Sequence, residues 1–78
     1  ELAAFERLLA EAGGAAGAAT AAEEALAGAE AAYRLGEAGL TDFLDTLRSA
    51  LEARTTALEI REAVAAAERD LSALGDLP

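Results

Sequence analysis

The sequence predicts an all-α fold: an antiparallel two-helix coiled-coil hairpin, with arms at about 2–35 and 40–74 and a tight tip turn at 36–39. Three observations lead there. Alanine fills 24 of the 78 positions, and the other common types, Leu, Glu and Arg, are also strong helix formers. The one proline is Pro78, so no proline interrupts either arm. Apolar residues recur in alternating steps of three and four, which is coiled-coil spacing.

In the first arm one seam row is Phe5, Ala12, Ala19, Leu26 and Tyr33, and the other is Leu8, Ala15, Ala22 and Ala29. Small seam residues let helix axes approach closely. Gly13, Gly14 and Gly17 work against this arm, because each interior glycine costs about 1 kcal/mol relative to alanine. Gly13 and Gly17 lie four apart on one face. That spacing suits either a seat for a neighbouring backbone or a kink, and the sequence leaves both open.

The second arm carries two apolar stripes. The first contains Phe43, Ala50, Ala57, Val64 and Leu71, with Ala53, Ile60, Ala67 and Leu74. The second contains Leu40, Leu44, Leu47, Leu51 and Leu58. Together they cover more of the circumference than a two-stranded seam uses. The arm therefore asks for two neighbours: the first arm, and a helix from elsewhere.

Between the arms, Gly36 suits the left-handed backbone that closes a helix. Gly39 suits the N-cap of the next helix, with Asp42 at N3, where its carboxylate is expected to reach back to a free backbone N–H. Asp42 and Asp45 both lie near the positive end of that helix. A short loop between equal arms implies an antiparallel hairpin about 50 Å long at 1.5 Å per residue. At the far end, Leu74-Gly75-Asp76-Leu77-Pro78 reads as a helix stop. Glu30 with Arg34, Asp45 with Arg48, and Arg48 with Glu52 have helical ion-pair spacing.

Charge and composition narrow the function. The net charge is −9, with 15 acids against 6 arginines and no lysine, so there is no basic footprint for nucleic acid or anionic lipid. The longest charge-free stretch, Ala12 to Ala22, is too short and too weakly apolar to span a bilayer. There is no histidine, cysteine or lysine, which removes the usual general base, thiolate nucleophile and Schiff-base amine. Ser49 and Ser72 have no base partner, and Glu23 and Glu24 point to different sides of their helix. Asp42 and Asp45 form a helical D-x-x-D that also serves capping. Di-metal helical sites pair glutamate with histidine, and no glycine-rich phosphate loop is present. The residues predict no enzyme, no cofactor and no metal. In an assembly of several hairpins around an axis, copies of Asp42 and Asp45 would form acidic rings of the kind that select cations.

The tip segment Tyr33-Arg34-Leu35-Gly36-Glu37-Ala38-Gly39-Leu40-Thr41-Asp42-Phe43-Leu44-Asp45 resembles one family. It is similar to the tip of the second-repeat periplasmic hairpin of TolC-like outer-membrane efflux proteins, which reads Tyr-x-x-Gly, a short gap, then Asp-x-Leu-Asp and a long Leu/Ala helix. Tyr33, Gly36, Asp42, Leu44 and Asp45 match at that spacing, and the likeness extends over about 21–75. Gly39 stands where the family usually has Ser or Thr, and Ala38 where some members carry a basic residue. The resemblance implies that residues 1–78 are one helical hairpin, a fragment of a larger trimeric channel. Its parent would sit in the outer membrane, with this hairpin in the periplasm as part of a tunnel wall. It implies that Tyr33, Asp42 and Asp45 gate or constrict the entrance, and that Gly36, Glu37, Ala38, Gly39 and Leu40 form the tip that meets a periplasmic adaptor (membrane fusion) protein of a multidrug efflux or secretion pump in the inner membrane. The alternative is a generic oligomerising coiled-coil module with no transport role. Either way, the isolated hairpin is expected to be marginally stable unless it self-associates.

Overall fold

The computed structural model describes residues 2–75. They form two antiparallel helices, α1 (Leu2–Arg34) and α2 (Leu40–Gly75), joined by residues 35–39. Among the described residues there is no strand. The rod measures 65 × 14 × 13 Å, longer than the 50 Å expected of the hairpin. Asp76, Leu77 and Pro78 lie outside the described residues, so the expected helix stop is represented only by Gly75, the last residue of α2.

The turn follows from its two glycines. Gly36 adopts φ 76°, the left-handed region that costs a side-chain-bearing residue about 1–2 kcal/mol. The Gly36 N–H donates to the Tyr33 carbonyl at 3.1 Å, and the Glu37 N–H donates to the Ala32 carbonyl at 2.8 Å. Those two bonds are a Schellman closure, and they satisfy carbonyls that the end of α1 would otherwise leave free. The Ala38 N–H also reaches the Ala32 carbonyl, at 3.3 Å. The next helix opens when the Phe43 N–H donates to the Gly39 carbonyl at 3.2 Å, so Gly39 is the N-cap. One local expectation fails. The Asp42 carboxylate accepts no hydrogen bond among the described residues; its backbone carbonyl accepts one from Thr46 Oγ1 at 3.1 Å. Asp42 therefore acts on the helix end through its charge alone.

The seam forms as the heptads dictate. Phe5, Leu8, Ala12, Ala15, Ala19, Ala22, Leu26 and Ala29 are half-buried on α1. On α2 so are Phe43, Ala53, Ala57, Ile60, Val64, Ala67 and Leu71, while Ala50 is the one buried residue, 6% exposed. Leu74 departs from the pattern and is exposed at the open end. Thr46 fills a seam position that an apolar count passes over, because its hydroxyl is already satisfied within its own helix.

Tyr33 and Phe43 stack at the tip with ring centroids 5.4 Å apart and planes 12° from parallel. Heptad steps from that stack set Leu26 opposite Ala50, Ala19 opposite Ala57, Ala12 opposite Val64, and Phe5 opposite Leu71. The side grooves agree, since Ala12, Ala19, Ala57 and Val64 line one and Phe5 and Leu71 another. Ala50 is thus buried because its small side chain meets the largest residue in the middle of the opposite seam.

Gly13, Gly14 and Gly17 do not interrupt α1, and a Cβ added to any of them would meet nothing within 4 Å. Inside the hairpin they seat no neighbouring backbone. Gly13→Ala, Gly14→Ala and Gly17→Ala should each raise stability by about 0.4–1 kcal/mol in urea unfolding, whereas Gly36→Ala should lower it by about 1 kcal/mol or more. Equal effects at Gly36 and Gly14 would contradict the left-handed turn.

Candidate functional site: the tip and an exposed leucine stripe

Two surfaces of the rod are not accounted for by the fold. The first is the tip. Gly36, Glu37, Gly39 and Leu40 are exposed and Ala38 is half-buried, so the turn presents its backbone outward. Leu35, at the end of the first predicted arm, falls outside α1 and is among the most exposed leucines. Asp42 and Asp45 stand exposed in the opening turns of α2. Asp45 has Arg48 Nη1 at 4.0 Å, an exposed pair worth no more than about 0.5 kcal/mol. Arg48 with Glu52, also expected from spacing, is not an ion pair here, whereas Arg34 with Glu30 is, at 2.6 Å. Arg34 also lies in the last turn of α1, where a cation suits the negative helix end.

Tyr33 was expected in the seam and as a gate. It is 41% exposed, with one ring face on Phe43 and the rest open at the tip. The structure thus brings Tyr33, Asp42 and Asp45 to one end of the rod. The partner of Tyr33, Phe43, was legible only as a seam residue. Its part in the tip becomes visible once the turn length fixes which residues face each other.

The second surface runs along α2. Leu44, Leu51 and Leu58 are spaced by seven and remain 44%, 54% and 48% exposed. Leu40 is exposed beside them and Leu47 half-buried. This is the second stripe read from the sequence, and in the hairpin it has no partner. Covering the exposed half of each leucine would contribute on the order of 1 kcal/mol apiece. Alongside it lies an open groove of about 410 Å³, lined by Ala16, Thr20 and Glu23 of α1 and by Arg54, Leu58 and Arg61 of α2. The Thr20 hydroxyl donates to the Ala16 carbonyl at 3.1 Å, so it adds little polarity to that wall.

Among the described residues no group of three or more His, Cys, Asp or Glu is placed to hold a metal ion. No described helix is long and apolar enough to cross a membrane. No family model, curated protein or solved structure matches the chain.

The Tyr33–Phe43 stack should couple the two arms. In a double-mutant cycle of Tyr33→Ala and Phe43→Ala, the interaction energy should be about 0.5–1.5 kcal/mol. Tyr33→Phe should change stability little, because the Tyr33 hydroxyl has no hydrogen-bond partner among the described residues. Additive single losses would show that the rings are neighbours without interaction.

Proposed function

We propose that this hairpin is a wall and docking element of an outer-membrane efflux or secretion channel, its tip facing a periplasmic adaptor protein and its parent a trimer. The reading rests on one observation: the residues that resemble the TolC-like pattern, Tyr33, Gly36, Asp42, Leu44 and Asp45, all lie at the tip, in the last turn of α1, the loop and the first turns of α2. In this reading Asp42 and Asp45 of three copies form acidic rings at the tunnel entrance, where fixed carboxylates attract cations and repel anions. Gly36 to Leu40 supply the surface that meets the helical hairpin of the adaptor. A tunnel wall gives each helix a neighbour on both sides, which would use the leucine stripe on α2.

The stripe also favours a second reading, a generic oligomerising coiled coil, since an apolar stripe asks only for another helix and not for a channel. The acidic tip separates the two. In planar bilayers, the full-length channel carrying Asp42→Ala and Asp45→Ala should lose cation preference and conduct more freely at its entrance. Unchanged conductance and selectivity would leave those aspartates only their helix-end role and would remove the gating part of the proposal.

A further inference from the structure

The leucine stripe has a symmetry of its own. Leu44 and Leu58 lie seven residues either side of Leu51, and all three are exposed. Beside them runs a second row at the same spacing: Leu40, Leu47, Arg54 and Arg61. We propose that in the hairpin by itself, outside any tunnel wall, this stripe docks on the same stripe of a second copy running the opposite way, about a two-fold axis at Leu51, to give a four-helix bundle with the two α2 helices innermost.

The pairing satisfies the leucines first. An antiparallel two-fold at Leu51 sets Leu51 on Leu51 and Leu44 on Leu58 of the second copy. A two-fold interface must be self-complementary, and a row symmetric about its middle member is so by construction.

Charge then selects the direction. A parallel, in-register pair would set Arg54 on Arg54 and Arg61 on Arg61 inside the contact, and like charges there are unfavourable. The antiparallel pair carries Arg54 to the level of Leu47 of the second copy, and Arg61 to the level of Leu40. Across the hairpin, Glu23 shares the groove wall with Arg54. One step of seven from that pair sets Glu30 of α1 across from Leu47. In antiparallel pairs the same flanks face each other, so Arg54 approaches Glu30 of the second copy, the carboxylate that Arg34 of that copy also holds. Arg54 thus comes near a carboxylate, and neither arginine of the stripe faces its own copy.

The overlap runs from one tip to about Ala65, which is about 40 Å at ~1.5 Å per residue. Over that length Leu40, Leu44, Leu47, Leu51 and Leu58 of each copy lie within the contact. The contact also closes a fold in which Ala50 is the one buried residue among those described.

The chain has no cysteine, so single-cysteine variants report geometry directly. In sedimentation equilibrium the unaltered chain should move from 7.9 kDa towards twice that mass as concentration rises. Leu51→Cys should oxidise to a disulfide with its own copy. A mixture of Leu44→Cys and Leu58→Cys should yield the mixed disulfide in excess of either self-disulfide. Leu51→Glu should return the mass to 7.9 kDa, while Leu35→Glu, exposed and off the stripe, should not. Circular dichroism checks that each variant stays helical. A monomer at every concentration overturns the proposal, as does an excess of the 44–44 and 58–58 disulfides. The latter pattern would mean parallel neighbours and leave the channel reading standing, since that reading fails separately, on conductance.

Discussion

The register between the two arms governs everything else in this molecule, and four residues set it. Gly36 takes the left-handed backbone, Gly39 caps the second helix, and the stacked rings of Tyr33 and Phe43 lock the first layer. Because side chains repeat by heptads, that single alignment fixes every later layer. It places Leu26 over Ala50, and it decides which stripe of α2 meets α1 and which is left outside. A loop one residue longer would rotate the leucines relative to the seam.

A seam built largely of alanine has a consequence of scale. Alanine brings the helix axes close, but each layer removes little apolar area from water. Among the described residues only Ala50 is buried, and the leucines of the second stripe lie outside the seam. A two-helix hairpin of this length is at the edge of what a single core supports. The fold is therefore an unfinished core: α1 supplies a smooth, alanine-lined face, and α2 supplies both that contact and the apolar surface for another. The acidic tip and the leucine stripe are separate features of this arrangement, one belonging to the turn and one to the side of α2. They permit separate roles, docking at the end and assembly along the length.

Much of this was legible in the residues themselves. The seam rows, the two stripes and the glycine-marked turn follow from spacing alone, because helical periodicity is a local property. What escaped was set by details that spacing does not carry. Tyr33 falls on a seam position, but the chain reverses two residues later and leaves its outer half without a neighbour. Asp42 stands at the right capping position, yet its carboxylate makes no bond and charge is its only contribution. Thr46 joins the seam because an intrahelical hydrogen bond makes it effectively apolar, which a count of hydrophobic letters misses. Arg48 has Asp45 within 4.0 Å and no ion pair with Glu52, a choice between two permitted spacings that the sequence leaves open. The glycine-rich segment of α1 is continuous helix facing open space, so its cost in propensity is not offset by any close approach within the hairpin.

In the proposed dimer the hairpin completes its core against a copy of itself. Thermal unfolding followed by circular dichroism over a hundredfold range of chain concentration tests it most directly. If folding and association are coupled, mass action requires the midpoint to rise steadily with concentration. A midpoint that stays constant across that range would mean that the two arms are sufficient alone, and would contradict the account.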